Sequence, residues 1–397
     1  MISGAAQYRY TPDERTVFKL YAGYDRTSFS NYADADRHLF GLGENNVYLN
    51  TTFRKRAASG WNWFFGAAYS FYDRRVGGAV TGGDAWSERQ QELHLKVRSF
   101  WQFTPWLRLD AGVETFIRSY RDYYRFELLY DENRMYPTIC AGFLSSIFYL
   151  SEHFKTELSF RPEYGSLNRR MNWSPRAAVS YAWNRLSISV VAGQYTQLPE
   201  NKYLIKNTAL PSNICRQTLF SLQYEQSGRF YKAEFYYKNY KRLELSVPKG
   251  MVPDGYGYSK GIDLYFWDNA LWKNFEYRLS YSYNLSKRKY REYTELTVPQ
   301  YATRHNVSLV LKYSVPRLRT IFSVTDRLAS GRPYHNPELP GLMNDEVKPC
   351  HSFDLGITVL ASKKVIVHAS ATNLTGRKNE YGRINGQAGR ASSDRFF

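Results

Sequence analysis

The chain has 397 residues, a net charge of +18 and an aromatic content of 17% that includes 35 Tyr. It contains no run of about 20 apolar residues, which excludes a membrane protein built from transmembrane helices. The composition does not exclude a transmembrane β-barrel, because such a barrel alternates polar lumen residues with apolar residues that face lipid. Composition shows no break along the chain, so we predict one continuous β domain over residues 1–397.

Apolar and polar residues alternate in segments that recur along almost the whole chain. Six of these segments, in chain order, are WNWFFGAAYSF (61–71), LHLKV (93–97), LRLDAGVE (107–114), FSLQYE (220–225), RHNVSLVLKYSV (304–315) and FDLGITV (353–359). Successive strand side chains point to opposite faces, so each segment is predicted to be a strand with one apolar and one polar face. We count roughly 18 such segments of about 9 to 15 residues, a length that crosses a bilayer at a tilt.

The predicted connections between these strands alternate between short and long. The short ones are Thr11–Glu14, Ala57–Gly60, Thr104–Pro105, Ser151–His153, Trp183–Asn184, Gln226–Gly228, Asp268–Leu271, Pro316 and Ala361–Lys363. The long ones are 29–45, 75–88, 119–134, 165–172, 197–214, 242–255, 287–301, 330–349 and 376–394. Outer-membrane barrels have short periplasmic turns and longer outer loops, whereas a Greek-key sandwich has no reason to keep this order.

The fold predicted from both patterns is all-β, an antiparallel up-and-down transmembrane β-barrel of about 18 strands. In it Leu309 and Phe322 face lipid, Lys312 and Arg319 face a watery lumen, and Pro316 turns in the periplasm. The first residues contain no signal peptide, and an exported barrel needs one, so we expect that the beginning of the protein is missing.

Charged residues and cysteines give no sign of nucleic-acid binding or of metal chemistry. Lys and Arg are dispersed over polar strand positions and loops, whereas a nucleic-acid partner would leave a concentrated patch, so none is predicted. The three cysteines, Cys140, Cys215 and Cys350, are far apart and form no CxxC motif. Metal or redox use is therefore not expected, and one disulfide remains an open possibility.

Catalytic residues do not form a recognisable arrangement, so neither an enzyme nor a cofactor or metal site is predicted. The seven histidines show no HExxH motif, and RVGGAVTGGD (75–84) is interpreted as a flexible loop. Four acidic residues could form a carboxylate pair: Glu114, Glu157, Glu163 and Asp263. The alternative is that lumen arginines such as Arg108 and Arg161 neutralise them, as ionised groups in a confined space require.

Three segments could bind a ligand. In RSYRDYYRFELLY (118–130), the side chains of Arg118, Tyr120, Tyr123 and Tyr124 could stack on and hydrogen-bond to an aromatic or anionic ligand such as a siderophore. The same tyrosines could equally form the outer aromatic girdle, with the arginines on lipopolysaccharide phosphates. The segments 193–207 and 330–340 add Tyr195, Gln197, Asn201, Arg332 and Tyr334, although their prolines also fit a structural strand-to-loop cap.

Several segments resemble the TonB-dependent outer-membrane receptors, in particular those of Bacteroidetes-type bacteria. They are NWSPRAAVSYAWN (172–184), GQYTQLPENKYL (193–204), KGIDL (260–264), RHNVSLVLKY (304–313), SGRPYHNP (330–337) and NLTGRKN (373–379). Each is loose alone, but their order and spacing match the C-terminal part of such a barrel over about the last 230 residues of the chain. The resemblance implies a 22-stranded barrel, an N-terminal plug inside it, a segment that binds TonB, and energised import of a scarce ligand.

The sequence departs from that family pattern at both ends. Nothing in it resembles a plug or a TonB-binding segment, and the strand count is about four short of the barrel that the resemblance implies. At the other end, RASSDRFF has Ser393 and Arg395 where outward-facing apolar residues are expected, and we predict that Phe396 and Phe397 begin a last strand that is cut. The chain is therefore interpreted as part of a barrel, without the plug.

Four functions remain open at this point. The first is the barrel of an importer of siderophore-iron, haem, a vitamin, a glycan or a peptide, in contact with outer-membrane lipid, lipopolysaccharide and, through the missing segment, TonB. The second is a passive porin of about 18 strands, and the third is an outer-membrane enzyme at the barrel rim. The fourth is a soluble β-rich adhesin. The transported ligand cannot be read from the fold, because one fold serves many functions.

Overall fold

The computed structural model describes residues 1–32, 39–77, 85–126, 129–384 and 387–390. Antiparallel strand accounts for 75% of the chain and helix for only 2%. Twenty of the strands belong to one sheet. The prediction of an all-β, antiparallel fold is confirmed.

The first of two compact units comprises Met1–Ser151, Thr156–Arg176 and Thr196–Ser212. Its strands follow one another in meander order. They are β1 (Ile2–Asp13), β2 (Thr16–Tyr32), β3 (Leu39–Arg56), β4 (Asn62–Gly77), β5 (Ala85–Thr104), β6 (Leu107–Phe126), β7 (Leu129–Met135), β8 (Thr138–Tyr149) and β9 (Phe154–Gly165), with the short helix α1 (Asn201–Leu204). From β1 to β6 each strand pairs antiparallel with the next one.

The second unit comprises Glu152–Lys155, Ala177–Tyr195 and Asn213–Phe397. Strands β10 (Arg170–Trp183) and β11 (Leu186–Gln197) have residues in both units. The strands that follow are β12 (Asn213–Gln226), β13 (Arg229–Val247), β14 (Gly250–Asp268), β15 (Phe275–Tyr290), β16 (Tyr293–Thr297), β17 (His305–Val315), β18 (Thr320–Ala329), β19 (Pro333–Tyr334), β20 (Asp345–Glu346), β21 (Cys350–Val359), β22 (Val367–Ala371), β23 (Glu380–Ile384) and β24 (Gln387–Arg390). Those of the main sheet again pair with their neighbours along the chain.

Two pairs of strands in the main sheet act as single interrupted strands. Both β7 and β8 pair with β6, and the break between them contains Pro137, which has no N–H to give to a ladder. In the same way both β16 and β17 pair with β15. Counted this way, the 20 described strands of the main sheet reduce to 18, and the predicted number is confirmed.

The predicted short connections all lie at strand ends, and two of them show how the sequence makes the turn. After Val315 a 3₁₀ turn, Pro316–Leu318, is followed by Arg319 in the left-handed conformation, with φ of 48°. At the end of β14 the Asp268 carboxylate accepts hydrogen bonds of 2.8 Å from the backbone N–H groups of both Ala270 and Leu271. Arg319 was predicted to face a lumen from a strand, and that is wrong, because it belongs to the turn.

Several predicted long connections are in fact continued strands. Strands extend into 29–45, 75–88, 119–134, 242–255 and 287–301; for example, β13 reaches Val247 and β14 begins at Gly250. At this end of the hairpin burial no longer differs between the two faces, since Leu243, Glu244 and Leu245 are all buried, although the backbone ladder continues. The connections 165–172, 197–214 and 330–349 are present as predicted, with α1 in the second and β19 and β20 in the third. Residues 78–84 of the predicted glycine-rich loop, and the predicted last strand at Phe396 and Phe397, lie outside the described residues.

The two faces of the first unit differ in chemistry. We call apolar face the side that carries the directly opposed Phe65, Val97 and Val113, and polar face the side that carries Lys96 opposite Glu114. The apolar residues are the exposed ones, since Val113 is 61% accessible whereas Glu114 is 8% accessible. A soluble sandwich buries the opposite face, so this distribution confirms that the alternating residues meet two different surroundings.

The second unit repeats this arrangement in the hairpin of β17 and β18. Tyr313 lies opposite Phe322, and the two side chains are 51% and 40% exposed. On the other face Lys312 lies opposite Ser323, and its Nζ is 3.6 Å from Oε1 of Glu276. The predicted apolar and polar parities of this hairpin are thereby confirmed.

Candidate ligand-binding site

A cavity of about 460 Å³ lies on the polar face of the first unit. Its walls are strand residues of one parity, closed on one side by the segment that follows β11. The lining residues are Glu88, Gln90, Phe116, Arg118, Ile139, Arg161, Glu163, Thr196, Gln197, Leu198, Pro199, Glu200, Asn201 and Lys202. Because side chains of even-numbered residues on β5 and β6 share a face, the register alone brings four of these residues together.

Arg118 is held in place by its partner across the β5–β6 ladder. It lies directly opposite Glu92, and its Nε donates a charge-assisted hydrogen bond to Oε2 of that residue. Its guanidinium also lies 5.3 Å from the ring centroid of Phe116. About 30% of the Arg118 side chain stays accessible, which leaves donors free to meet a solute.

Arg161 belongs to a network of charges at the base of the cavity. Its guanidinium donates to Oε1 of the buried Glu114 and lies 3.3 Å from Oε2 of Glu163. The Glu114 carboxylate also lies 3.1 Å from Nζ of Lys96 and 3.2 Å from Nε2 of His94. A buried carboxylate requires such partners, so Glu114 anchors this network, in which Arg161 bridges it to the carboxylate of Glu163.

The other acidic candidates of a catalytic pair are also engaged in ordinary contacts. Glu157 accepts a 2.8 Å hydrogen bond from Oγ of Ser145, and Asp263 accepts one from the hydroxyl of Ser282. Arg108, expected to neutralise an acid, instead lies with its guanidinium 4.5 Å from the Phe100 ring centroid. The interpretation of neutralised acids therefore holds for Glu114 and Glu163 through Arg161.

Most carboxylates in these strand ion pairs are more buried than their cationic partners. The side chains of Asp110 and Arg98 are 9% and 42% accessible. Glu114 and Arg161 show 7% and 24%, and in the second unit Asp268 and Arg229 show 2% and 34%. Arginine is longer than either acid and reaches over it, so the cation forms the outer layer of each pair.

The segment 197–202 is fixed to the wall of the cavity by Asn201. Its Nδ2 donates a 3.1 Å hydrogen bond to Oε1 of Gln90 on β5. Behind it Leu204 and Leu210 are almost fully buried, with 1% of each residue accessible. This packing gives the segment an ordered position, so Gln197 and Asn201 reach the cavity from a fixed backbone.

The structure brings together three of the residues predicted to bind a ligand. Arg118, Gln197 and Asn201 all line the cavity of the first unit. Tyr120 shares the polar face but is only 2% accessible, and Tyr124 is 48% exposed further along the same face. Tyr123 points to the apolar face, because residues of odd and even number on one strand diverge.

The remaining three predicted residues lie in the second unit. Tyr195 is near the end of β11, and Arg332 accepts a 3.0 Å backbone hydrogen bond from the N–H of Val347. The Tyr334 hydroxyl donates to the Asp345 carboxylate and accepts a 3.2 Å hydrogen bond from Nη1 of Arg383. The bond to Asp345 raises the pKa of Tyr334 and lowers that of Asp345. Tyr334 therefore stabilises this loop by linking Asp345 and Arg383.

Some cavity residues were not among those predicted to bind a ligand. Gln90 and Phe116 had no predicted binding role, and Glu88 was assigned to the predicted connection 75–88. The His94 ring stacks on Phe116 with 4.0 Å between centroids. Their polar-face parity was the signal available in the sequence. The sequence did not show that the segment 197–202 folds over that part of the wall.

The described part of the chain has neither a cluster of metal ligands nor a membrane-spanning helix. Within it, no group of three or more His, Cys, Asp or Glu side chains is placed to hold a metal ion. No helix there is long and apolar enough to cross a membrane. All three cysteines are free, so the disulfide left open by the sequence is not formed.

Solved structures show the same arrangement of strands. The ferric enterobactin receptor PfeA of Pseudomonas aeruginosa matches with a TM-score of 0.78 at 12% identity, over 98% of this chain and 67% of that one. The ferric yersiniabactin uptake receptor FyuA of Yersinia pestis gives 0.79 and 12%, over 97% and 67%. The protein has the fold of an outer-membrane receptor barrel.

A third solved structure has the same fold. The outer-membrane transporter YddB of Escherichia coli matches with a TM-score of 0.77 at 11% identity, over 98% of this chain and 66% of that one. The chain thus spans about two thirds of the length of these structures. No family model and no curated protein matches the sequence. The barrel predicted from alternation is confirmed by these neighbours.

Proposed function

We propose that the protein is the barrel of a TonB-dependent outer-membrane receptor that imports a scarce nutrient into the periplasm. The observation that carries this proposal is the cavity on the polar face, where Arg118, Gln197 and Asn201 converge. The fold supports it, since the matched barrels include receptors named for ferric enterobactin and ferric yersiniabactin and a copper transporter. The six sequence segments that resemble Bacteroidetes-type receptors support it independently.

In this proposal the chain binds and conducts a ligand and performs no chemistry on it. Arg118 offers a cation and guanidinium donors, while Gln197 and Asn201 offer amide donors and acceptors. Such a set suits a ligand rich in oxygen atoms, such as a siderophore complex, a glycan or a peptide. A plug domain would gate the barrel and receive energy from TonB through its own N-terminal segment.

Uptake in living cells tests the proposal. The protein would be produced in its native reading frame in a Gram-negative strain that lacks its own ferric-siderophore receptors, with and without TonB. Labelled ferric siderophores, haem, cobalamin, oligosaccharides and peptides would be supplied in turn. We expect accumulation of one class only, and its loss without TonB.

Two results would overturn the proposal. One is accumulation that is equal with and without TonB for solutes of every class, which a passive porin would give. The other is conversion of a supplied compound at the cell surface that stops when Glu114 or Glu163 is substituted, which an enzyme would give.

A further inference from the structure

A row of three arginines crosses the apolar face of the first unit near the far ends of β5, β6 and β7. Arg89 lies directly opposite Arg121, and Arg121 lies directly opposite Arg134. We call these three residues the arginine row. Like charges directly opposite each other on a sheet are destabilising, so the row calls for an explanation beyond the fold.

The two acids that pair with the arginine row and the neighbouring Arg75 balance only half of the charge of these four arginines. The Asp73 carboxylate has Oδ1 3.0 Å from Nε of Arg89 and Oδ2 3.0 Å from Nε of the neighbouring Arg75. Oε1 of Glu132 lies 2.8 Å from Nε of Arg121 and 2.5 Å from Nη2 of Arg134. Four guanidinium groups therefore share two carboxylates, and two positive charges are left over.

The arginine row is accessible and borders a hollow. The side chains of Arg89, Arg121 and Arg134 are 40%, 43% and 53% exposed. A cavity of about 580 Å³ lies beside them, and its lining includes Arg75, Arg89, Arg121 and Tyr123. An anion could therefore reach several guanidinium groups at once.

Below the arginine row the same face becomes mostly apolar. The next row contains Phe71 opposite Gln91 and Gln91 opposite Ser119, and the row after it contains the opposed Tyr69, Leu93 and Ile117. About six residues from Arg121, or roughly 20 Å along β6 at 3.3 Å per residue, an apolar groove of about 440 Å³ opens on this face. Its lining includes Leu95, Val97, Val113, Thr115, Cys140, Gly142, Pro162, Tyr164 and Met171.

We propose that the arginine row and the groove bind a phosphorylated, acylated lipid of the outer leaflet. Guanidinium groups recognise phosphate by paired charge-assisted hydrogen bonds, and a phosphate would remove the repulsion between Arg89 and Arg121. The groove lies where an acyl chain attached to that phosphate would descend along the barrel wall. This inference rests on the proposed function only for the location of the barrel in an outer membrane.

Binding to the purified 397-residue chain in non-ionic detergent tests the head-group half of the proposal. The probes are a bis-phosphorylated hexa-acyl glucosamine lipid, the same lipid without phosphates, and inorganic phosphate. The double variant R89Q/R121Q leaves Asp73 with Arg75 and Glu132 with Arg134, so neither carboxylate loses its last cation. The control R15Q/R56Q removes two charges at the opposite strand ends of the same unit.

We expect the wild type and the control to bind the phosphorylated lipid equally. The R89Q/R121Q variant should bind it about tenfold more weakly, as the loss of charged hydrogen bonds implies, and the dephosphorylated lipid should bind to none of them. Without lipid, R89Q/R121Q should melt no lower than the wild type, because two opposed charges have been removed. Equal lipid affinity in wild type and R89Q/R121Q, or an equal loss in the control, would overturn the proposal.

A substitution in the groove tests the acyl half. A Cβ added at Gly142 would meet only Cγ of Pro162 at 3.8 Å and the carbonyl oxygen of Gly112 at 3.9 Å, so a side chain fits there. G142L should weaken binding of the acylated lipid and leave inorganic phosphate unaffected. If G142L binds the lipid as the wild type does, the groove does not hold the acyl chain. None of these measurements involves uptake, so their failure is distinguishable from failure of the proposed importer.

Discussion

Arg118 lines the cavity, and a solute could compete for its hydrogen bond with Glu92. Its guanidinium is shared between Glu92 across the strand pair and the ring of Phe116, and part of it remains accessible. A side chain held in this way has a defined direction at little entropic cost when a ligand arrives.

Replacing Arg118 by alanine should therefore weaken uptake while leaving the barrel folded. The loss of one charged hydrogen-bonding group corresponds to about 1.5–3 kcal/mol, or roughly a 10- to 150-fold higher half-saturation concentration. Uptake of whichever labelled compound the wild type accumulates would be measured at several concentrations. Arg54→Ala, an exposed arginine on β3 of the same unit, is the matched control and should behave as the wild type. Equal half-saturation in both variants would exclude Arg118 from the binding site.

Glu114 is the residue on which the charge network of the first unit depends. Its carboxylate is shared by Arg161, Lys96 and His94. Glu114→Ala should lower the free energy of unfolding by about 3 kcal/mol, because removal of one partner leaves buried charge uncompensated. Urea unfolding in detergent would measure this, with Glu14→Ala in the β1–β2 turn as the control. A further change, Arg161→Leu, should recover part of the loss; no recovery would mean that the effect is one of packing.

The loop 330–349 contains a carboxylate whose titration can be followed. The Tyr334 hydroxyl, the N–H of Glu346 and Nδ2 of Asn336 all donate to Asp345 and lower its pKa. A lowered folded-state pKa gives stability that is present above the unfolded value of about 4 and is lost as the pH falls through the lower folded value.

Hydrogen exchange, corrected for its intrinsic pH dependence, should show constant protection of this loop from pH 7 down to about 4 and a decline below that. Asp345→Asn should give weaker protection that no longer changes over this acidic range. Wild-type protection that stays constant to pH 2 would show that Asp345 does not hold the loop.

At the scale of strands, hydropathy predicted the strand ends at the short turns more accurately than the strand ends at the long connections. Inside the bilayer the alternation is strict, so strands such as β17 could be assigned from residues 304–315 alone. Beyond it β13 and β14 continue to Val247 and Gly250, and residues of both parities there, Leu243, Glu244 and Leu245, are buried. Pro248, Gly250, Pro253 and Gly255 in this stretch are residues typical of turns, which favours the interpretation of 242–255 as a loop.

Gly261 shows what close strand packing demands of a sequence. A Cβ at this position would meet the carbonyl oxygen of Tyr283 at 2.1 Å and the hydroxyl of Tyr236 at 2.5 Å. Gly261→Ala should therefore destabilise the β13–β14–β15 ladder by about 1–3 kcal/mol, as overpacking does. Chemical unfolding in detergent would measure it. Gly43→Ala is the control, because a Cβ there has no neighbour within 4 Å; equal effects would show that the strand propensity of glycine dominates.

For the molecule as a whole, the sequence was sufficient to predict the fold and insufficient to predict the site. Alternation is a local property, and it specified the two faces and the number of strands. The site depends on contacts between distant residues, such as Asn201 with Gln90, which are 111 residues apart, and Arg161 with Glu114, which are 47 apart. Such contacts are set by register and by the fold of a connection, and one sequence shows neither.

The exposed apolar faces determine how the whole chain should behave in water. Val113, Tyr313 and Ile357 are 61%, 51% and 43% accessible, and contiguous exposure of this kind drives association. We expect the protein to fractionate with membranes, to need detergent for extraction and to precipitate when the detergent is removed. Sedimentation in buffer with and without detergent would show this. A monodisperse species in plain buffer would instead fit the soluble adhesin.

The burial order within the ion pairs has an electrical consequence. With Asp110 and Glu114 buried beneath Arg98 and Arg161 on the polar face of the first unit, a passing solute meets exposed positive charge above buried negative charge. Close to such a wall the short-range potential is positive even where the pairs cancel at a distance. A small anion should be attracted to this surface and a small cation of the same size should be repelled. The wall would thus favour anions over cations before any specific recognition begins.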